Sequence, residues 1–584
     1  MQPGVLAVSS RDGAATPGSV CPALARAGIH SPAFHEGPGM VVATWGDLEL
    51  DAEGCLALSR GPRRHEVDLG CDQVSALLGA GAAADLATVL PPFAAFRRTG
   101  ASEAVAVTDA LGFRHLYTAQ WPGSAAVSTS ARALALIAGA PVDREALALQ
   151  SLLGWQVGQW TLYDGVVKLG PGQLVRLREG QLLVEDGRPG PPPDIGLDEA
   201  VDTAARVLRE HLTAYVTDHP DATLQLTGGQ DSRILLSAVP PALRRGLTAM
   251  TLSVPGSEDV DIAAAITART GVRHHVEALD SLDYLDPTVA YRLCVEASER
   301  LEGMADPLAL AALTIAEQRF DQGHRIAGLG GEVARGFYYL GSPRRTEVTR
   351  SRVARLAAWR MFANEAIDPE ALAAPLRRGA HERAVDRIHD LMAATGKDWL
   401  AATDDFYLDQ RMQRWAGITD TAICTDRSVV NPMLDDRFIA IAQGMSPASK
   451  RGSLFLARLQ MELDPELGRM PLDGRPPPEA YAQPGMVNRA RAAKTLALKA
   501  AAKARQRVGR STRPPAGGTV LAGKVVSEWR REPTLLDTAH EHGVLDDAWL
   551  ERLVAGEVDP SPGTVAFVLN VTSLPVPRRE PAFD

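Results

Sequence analysis

Leu224-Gln225-Leu226-Thr227-Gly228-Gly229-Gln230-Asp231-Ser232-Arg233-Ile234-Leu235-Leu236 joins an alternating apolar run to a second apolar run through two glycines. The pattern predicts a strand, a tight turn and the N-terminus of a helix. Glycines let backbone N–H groups approach a phosphate, and the helix dipole adds partial positive charge at the same place. Asp231 stands where a carboxylate would hold Mg²⁺, because that ion prefers hard oxygen ligands. No lysine follows, so this is not a G-x-x-x-x-G-K-[ST] loop, and a glycine pair alone is most often an ordinary turn.

Length and composition describe a large globular chain. At 584 residues the chain is too long for one ordinary core, so two or more domains are expected. Hydrophobic residues make up 45% and charged residues 23%, which is typical of soluble proteins. The formal net charge of −10 argues against a general nucleic-acid binder.

The cysteines favour a reducing compartment. None of the five forms C-x-x-C, so neither a disulfide framework nor a zinc site is expected; they are Cys21, Cys55, Cys71, Cys294 and Cys424. The sequence shows no charged-then-apolar signal and no apolar run of about 18 residues. We therefore expect a cytoplasmic protein without a membrane span.

The first part of the chain is rich in short strand patterns, and a proline- and glycine-rich linker at 186–193 ends it. From Leu197 onward apolar residues recur at three- and four-residue spacing, which predicts a helix. The strands are predicted at 41–45, 48–50, 104–109, 112–117 and 125–130.

Further elements follow the glycine pair. A second strand is predicted at 247–254, and because ligands of open parallel sheets bind at the carboxyl ends of strands, its end belongs to the same site. His274 and His275 are predicted to close the next turn, and adjacent residues point apart, so we expect no metal pair there. The glycine-rich segment 325–336 is an incomplete G-x-G-x-x-G turn, since Val333 stands at the third glycine position.

Segment 224–236 resembles the S-G-G-x-D-S pyrophosphate loop of enzymes that cleave ATP to AMP and pyrophosphate, with Thr227 in the serine place. The N-terminal half resembles the glutaminase domain of the asparagine synthetase family. Its D-x-x-G-x-x-x-L-Y pattern is matched by Asp109, Gly112, Leu116 and Tyr117, and its L-x-x-G-x-x-x-L-x-P-G pattern by residues 162–172.

The resemblance implies a two-domain chain of α/β and α+β class. Residues 1–188 would be a glutaminase-like (Ntn-type) sandwich, 197–510 an adenylating ATP-pyrophosphatase α/β domain with helical additions, and 511–584 a C-terminal extension. The family's glutaminases use a cysteine exposed when the initiator methionine is removed. This chain starts Met1-Gln2, and its nearest cysteine, Cys21, precedes a proline, so we expect the shape of a glutaminase without its chemistry.

The same resemblance implies a set of site residues. Segment 328–336 is similar to the family's S-G-E-G-A-D-E loop, with Arg335 where the family has a metal-binding aspartate. Asp231 would hold Mg²⁺, and Glu332 would act as general base. The residues expected to bind ATP are Leu226, Thr227, Gly228, Gly229, Gln230, Asp231, Ser232, Arg233, Val254, Gly330 and Gly331.

Four more residues are implied around the reacting groups. Asp409 and Arg411 fall where the family lines its acceptor pocket, although a solvated helix face explains such charges nearly as well. The family also carries a lysine in R-x-K-x-G-F that stabilises charge as AMP leaves. Segment 469–475 has no lysine, so Arg475 or Lys450 would take that role. Arg335 would grip the departing pyrophosphate, since a guanidinium matches paired phosphate oxygens.

Three activities within this superfamily compete. The strings at 255–264, 330–336 and 407–411 look most like lasso peptide cyclases, which adenylate an Asp or Glu side chain and join it to the peptide's own N-terminal amine. Asparagine synthesis and β-lactam synthesis are alternatives, as is a nucleotide-binding scaffold without catalysis. A cyclase implies a precursor peptide, a leader peptidase and a leader-recognition protein as partners. Segment 488–513, with nine Lys or Arg and no acidic residue, is predicted to be a solvated basic helix or a site for an anionic partner.

Overall fold

A computed structural model describes residues 2–79, 83–188, 190–254, 257–318, 320, 323–340, 345–362, 366–483 and 517–575. The predicted basic segment 488–513 lies outside the described residues. Among the described helices, none has both the length and the apolar character needed to cross a membrane.

The strands follow the predicted order of an antiparallel part and then a parallel part. They are β1 (Gly4–Ser10), β2 (Ala33–Gly37), β3 (Met40–Trp45), β4 (Cys55–Ala57), β5 (Arg63–Arg64), β6 (Val67–Asp68), β7 (Ala94–Arg98), β8 (Glu103–Thr108), β9 (Tyr117–Trp121), β10 (Ser124–Ser128), β11 (Val167–Lys168), β12 (Gln173–Arg178), β13 (Gln181–Asp186), β14 (Thr223–Gln225), β15 (Thr248–Ser253), β16 (Arg273–Ala278), β17 (Arg325–Ile326) and β18 (Val429–Val430).

Two antiparallel sheets form the N-terminal part, with strand orders β11-β9-β10-β1-β3-β2 and β13-β12-β8-β7-β4. Strand β1 is buried along its whole length because both of its faces are covered. Val5 and Ala7 point into the core between the sheets with Phe96 and Val175, whereas Leu6 and its neighbours on the other face pack against helices. A continuous apolar strand of this kind needs cover on both sides.

Two predicted strands of this part are wrong. Residues 48–50 are irregular, and 112–116 form a turn around the Asp109 carboxylate. Burial raises the pKa of Asp109, and four backbone N–H groups that donate to the carboxylate oppose that effect. The turn follows the buried carboxylate, so alternating hydrophobicity gave no sign of it.

The parallel sheet has the order β16-β15-β14-β17-β18. Because β14 and β17 are neighbours, the two glycine-rich segments that follow them meet at one edge. Leu224 and Ile326 are fully buried in one core with Ile234 of the helix Asp231–Ala238. His274 and His275 lie within β16, not in the predicted turn, and as adjacent strand residues they face opposite sides.

Helices surround both parts. The α-helices are Pro17–Arg26, Cys71–Gly79, Ala83–Leu86, Ala131–Ala138, Arg144–Leu153, Leu197–Asp218, Asp231–Ala238, Pro241–Arg244, Asp259–Thr270, Pro287–Arg300, Pro307–Glu317, Arg350–Leu356, Ala374–Arg377, Ala380–Ala393, Trp399–Phe406, Gly417–Cys424, Asp436–Gly444, Pro447–Lys450, Leu454–Leu463, Pro465–Gly468, Glu479–Ala482, Gly518–Arg531, Asp537–His542, Asp547–Val554 and Pro562–Thr572. Short 3₁₀-helices are Asp280–Tyr284, Gly331–Arg335, Pro369–Ala371, Pro432–Leu434, Arg451–Ser453 and Pro533–Leu536, and π-helical turns occupy Ala357–Met361 and Tyr407–Ala416.

The π-helical segment Tyr407–Ala416 connects the two parts of the chain. The guanidinium of Arg414 is buried and donates to the carbonyls of Gly158 and Trp160 at 2.8 and 2.6 Å. Gln413 donates to the Leu111 carbonyl at 3.2 Å. Long π-helical runs are rare, and single π-helical turns are frequently found at functional sites.

The C-terminal helices form a common core with the middle of the chain. Trp529, Val525 and Val568 are buried against Cys294 and Leu308. The mixed α/β and α+β character predicted from the sequence is confirmed. The domain limits at 188, 197 and 510 stay predictions.

Candidate functional site

The two glycine-rich loops touch at the carboxyl ends of β14 and β17. A Cβ atom on Gly331 would lie 2.4 Å from Cγ of Asp231, and one on Gly328 would lie 3.1 Å from the backbone nitrogen of Ser232. Contacts under 3.0 Å do not occur between real Cβ atoms and their neighbours, so glycine at 331 is what lets the second loop reach Asp231.

Hydroxyl groups shape the first loop. Ser232 Oγ accepts from the Thr227 N–H at 3.1 Å, and Thr227 Oγ1 accepts from the Gly229 N–H at 3.1 Å. The loop is therefore folded back on the first turn of the helix Asp231–Ala238, as the strand–turn–helix prediction requires. Thr227 performs this role through the hydroxyl that it shares with serine.

A cavity of about 280 Å³ lies where the loops meet. Two buried polar atoms of its wall, Asp231 Oδ1 and Gln230 Nε2, have no hydrogen-bond partner in the described part of the chain. One is an acceptor and the other a donor, and buried groups of this kind are normally satisfied. The lining residues are Gln225, Thr227, Gly229, Gln230, Asp231, Ser232, Gly328, Arg335 and Arg475.

Four charges surround this cavity. Burial raises the pKa of Asp231 to about 6, and Glu332 adds to the rise, whereas Arg335 and Arg475 oppose it. Arg335 donates to Glu332 Oε1 at 2.7 Å. Burial lowers the pKa of Arg335, but Asp231, Glu332 and Tyr407 together raise it above its ordinary value. The Arg335 guanidinium thus stays charged beside a carboxyl whose pKa is raised to about 6.

The helix that carries Glu332 and Arg335 explains their pairing. Gly331–Arg335 is a 3₁₀-helix, in which residues three apart lie one above the other. The Arg335 side chain is 21% exposed, lies in the last turn of this helix and lines the cavity.

Several predicted ATP ligands do not line the cavity. The Arg233 guanidinium is buried and donates to the carbonyls of Leu467, Met470 and Pro471 at 2.7 to 3.1 Å and does not line the cavity, so ATP binding by Arg233 stays a prediction. These hydrogen bonds anchor segment 467–471. Leu226 is buried in the core, Val254 lies half-buried just beyond the end of β15, and Gly330 and Gly331 form the second loop behind Asp231.

The structure separates the two candidates for the missing lysine. Arg475 lines the cavity. The ammonium of Lys450 is buried and donates to Asp404 Oδ2 at 2.8 Å, and the same oxygen accepts from the Tyr339 hydroxyl at 2.6 Å. Lys450 is outside the lining of the cavity, so Arg475 is the cation placed to act there.

Asp409 and Arg411 lie apart from the cavity between the two glycine-rich loops. Asp409 pairs with Arg188 at 3.2 Å, and Arg411 lies over the rings of Trp415 and Phe337 at 4.8 and 5.7 Å. Asp409 lines a second, larger cavity of about 1160 Å³ between the linker, the N-terminal part and the helices around 400 and 440. The Leu434 side chain lies between this larger cavity and the second loop. Leu434 lines the cavity, and a Cβ on Gly330 would lie 2.7 Å from Leu434 Cδ2.

Sequence reasoning missed Tyr407. Its ring stacks on Phe337 with centroids 4.7 Å apart, and burial followed by the charge of Glu332 raises its pKa well above the ordinary value. The hydroxyl therefore stays protonated beside the Glu332–Arg335 pair. Tyr407 is far from both loops along the chain, and although the string 407–411 resembles lasso peptide cyclases, the sequence assigns no role to the Tyr407 side chain.

A second charged group is an ion-pair cluster. Within the described residues, His65, Asp435 and Asp436 bring potential metal-binding atoms within 4.8 Å. Burial raises the pKa of Asp435, but hydrogen bonds from His211 and Arg437 hold it well below its usual range. Arg437 is bound to Asp435, and the contact of His65 with Asp436 joins the N-terminal part to the α/β part.

No family model and no curated protein matches this chain. Among solved structures, glutamine phosphoribosylpyrophosphate amidotransferase from B. subtilis, complexed with ADP and GMP, matches 47% of this chain and 65% of its own length, at 10% identity and a TM-score of 0.22. A structure described as the allosteric regulatory enzyme of purine biosynthesis matches 47% of this chain and 80% of its own, at 10% identity and a TM-score of 0.23. Similarity at this level says nothing about activity.

Proposed function

We propose that this chain is an ATP-dependent carbon–nitrogen ligase that forms AMP and pyrophosphate. In its finer form, the proposal is a lasso peptide cyclase that adenylates an Asp or Glu side chain of a precursor peptide and joins it to the peptide's N-terminal amine. The observation that carries the proposal is the cavity at the strand–turn–helix, where an unpartnered carboxylate oxygen and two guanidinium groups meet.

The residues of the cavity suit a nucleotide triphosphate with Mg²⁺. Asp231 Oδ1 is a buried acceptor without a partner among the described residues, which fits a hard cation. Gln230 Nε2 is a donor for a phosphate oxygen, and Arg335 and Arg475 supply positive charge. Bound Mg²⁺ would neutralise charge on the phosphates as the leaving group departs. The side chains of the cavity orient the phosphates, which is the main contribution a protein makes to this chemistry.

Glu332 is the proposed proton acceptor for the second step. The attacking amine must lose a proton as it forms the amide bond, and a carboxylate within reach can take it. Glu332 is held by Arg335 in the structure. Glu332 would therefore have to leave Arg335, or keep this contact while it takes the proton of the amine. The Tyr407 hydroxyl keeps its proton near this carboxylate, because burial and the charge of Glu332 raise its pKa.

The larger cavity favours a peptide over a small substrate. Its volume of about 1160 Å³ exceeds the roughly 300–1,000 Å³ of ordinary small-molecule pockets. It borders the second loop through Leu434 and includes Leu408 and Asp409, the two residues after Tyr407. A small-molecule amide ligase of the asparagine or β-lactam synthetase kind would not need this space.

The N-terminal part supports an amine that comes from the substrate. Position 2 carries an amide, and its Oε1 accepts from Arg114 at 2.6 Å while its Nε2 donates to the Arg300 carbonyl at 2.5 Å. Cys21 lies exposed on the helix Pro17–Arg26. A glutamine at position 2 whose amide is bonded at both ends, and not a thiol, supports a reaction that does not draw its ammonia from glutamine.

ATP–pyrophosphate exchange tests the proposal. A ligase of this class incorporates labelled pyrophosphate into ATP when a carboxylate substrate is present, and it requires Mg²⁺. Exchange dependent on Asp- or Glu-containing peptides supports the cyclase. Exchange that responds only to free amino acids supports the small-molecule alternative, and nucleotide binding without any exchange would leave a non-catalytic scaffold. A leader peptidase and a leader-recognition protein remain proposed partners of the cyclase alone.

A further inference from the structure

The backbone of Gly228 is held by two hydrogen bonds, one at its N–H and one at its carbonyl. Its N–H donates to Asp259 Oδ1 at 2.6 Å, and its carbonyl accepts from the Asp473 N–H at 3.0 Å. Gly228 does not line the cavity, although both of its neighbours do. The N–H of the first loop glycine is therefore used within the protein and is not presented to a ligand.

Asp259 is itself braced. Its Oδ2 accepts from the Ser257 hydroxyl at 2.8 Å, and its backbone N–H donates to the same hydroxyl at 3.2 Å. The helix Asp259–Thr270 begins at this residue. A carboxylate fixed at both oxygens holds its partner in one geometry, and hydrogen bonds to ionised acceptors are the shorter and stronger ones.

The other side of the contact leads to Arg475. Leu472 and Arg475 exchange backbone hydrogen bonds of 3.2 and 3.1 Å, which close a turn around Asp473. Because Asp473 is bonded to Gly228, this turn is tied to the phosphate loop. The side chain of Arg475 enters the cavity from that turn.

We propose that Asp259 is a positioning residue for the phosphate loop. Its carboxylate fixes the Gly228 peptide so that Gly229, Gln230 and, through the Asp473 turn, Arg475 face the cavity. Two adjacent glycines lose more backbone freedom on ordering than any other pair, so the loop needs such a restraint from outside. The role of the cavity in binding ATP rests on the proposed function, whereas the restraint on the loop does not.

A different role for Asp259 would change ATP binding in the opposite direction when its carboxylate is removed. If Asp259 occupied the place of a phosphate group, ATP would have to displace it, and removing the carboxylate would strengthen ATP binding. The direction of the Gly228 N–H, away from the lined cavity, favours positioning.

Three variants test this residue. Asp259→Ala removes the contact, Asp259→Asn keeps an oxygen acceptor without the charge, and Asp261→Ala is the matched control, because Asp261 is an exposed acid two residues along the same helix. The first readout is amide hydrogen exchange of residues 227–229 in the ligand-free protein. The second is pyrophosphate exchange, with kcat and the KM for ATP measured separately.

In Asp259→Ala we expect the loop amides to exchange at least about tenfold faster and kcat to fall about 10- to 100-fold, the range of one hydrogen bond to a charged group. Asp259→Asn should restore most of both, and Asp261→Ala should change neither. Unchanged amide protection in Asp259→Ala, or tighter ATP binding in that variant, would overturn the proposal. If the wild-type protein shows no pyrophosphate exchange, the proposed function fails, and amide protection alone then decides the role of Asp259.

Discussion

Replacing Asp231 with asparagine should separate stability from activity. One oxygen of the carboxyl, Oδ1, is buried, and burial together with Glu332 raises the pKa of Asp231 from 3.8 to about 6. At 1.36 kcal/mol for each pKa unit, that difference amounts to about 3 kcal/mol of native-state stability that is lost once the group ionises. Asp231→Asn removes the ionisation and keeps the shape, so it should stabilise the ligand-free protein at neutral pH.

The raised pKa of Asp231 determines how the free energy of unfolding changes with pH. The folded protein keeps the Asp231 proton up to about pH 6, whereas the unfolded chain loses it near 3.8. Wild-type stability from this group is therefore full below about pH 4 and is lost as pH rises through 6. Urea unfolding should be measured at pH 4, 5, 6 and 7. The free energy of unfolding of Asp231→Asn should exceed that of the wild type by almost nothing at pH 4 and by about 3 kcal/mol at pH 7. Pyrophosphate exchange should fall by about 10²-fold or more at every pH.

Asp420→Asn is the matched control. Asp420 is also buried, burial raises its pKa to about 7, and it accepts from Asn431 outside the cavity. Its variant should gain stability in the same way and keep its exchange activity. The reasoning about Asp231 would be refuted by a variant that loses stability at pH 7, by a stability difference that does not change with pH, or by near-normal ATP cleavage.

Four other outcomes follow from the same contacts. Arg335→Ala should lower pyrophosphate exchange by about 10²-fold and Arg335→Lys by much less, because lysine keeps the charge and loses the fork. Arg475→Ala should show a similar loss in kcat, since Arg475 also lines the cavity. Lys450→Met should cost about 3–5 kcal/mol of unfolding free energy in urea, because Asp404 is left buried without its cation, while exchange per folded molecule changes little. The wild-type protein incubated with glutamine should release no glutamate above background, as position 2 is Gln2 and not a thiol.

Local pattern was enough to predict the strand, the turn and the helix of the first loop. The strand lies at Thr223–Gln225 and the helix begins at Asp231. Both could be predicted because apolar periodicity and a glycine pair act over a few residues. The anchoring contacts of Arg233 were not predicted, because its partners are carbonyls around 470, which no local pattern reveals. Arg475 and Lys450 were equivalent by sequence, and the Asp473 turn bonded to Gly228 is what distinguishes them.

The predicted strand at 112–117 shows the opposite failure. Its alternating residues satisfy the period of a strand, yet a buried carboxylate that accepts four N–H groups makes a compact turn more stable there. A polar centre of this kind competes with a sheet ladder for the same backbone donors. Periodicity counts apolar side chains and does not register that competition.

The charges around the cavity between the two loops set a condition on the binding of ATP, its proposed ligand. Asp231 and Glu332 together balance Arg335 and Arg475, so with all four ionised the site offers a polyphosphate no net attraction. A divalent cation on Asp231 would change that balance by two charges, and we therefore expect ATP to bind weakly unless Mg²⁺ accompanies it. Where the resemblance leads one to expect a carboxylate at position 335 to hold metal, the guanidinium already supplies a fixed positive charge. The substitution thus suits a site that draws part of its cationic charge from the protein chain itself, and the i,i+3 pairing with Glu332 keeps that charge in place before any ligand arrives.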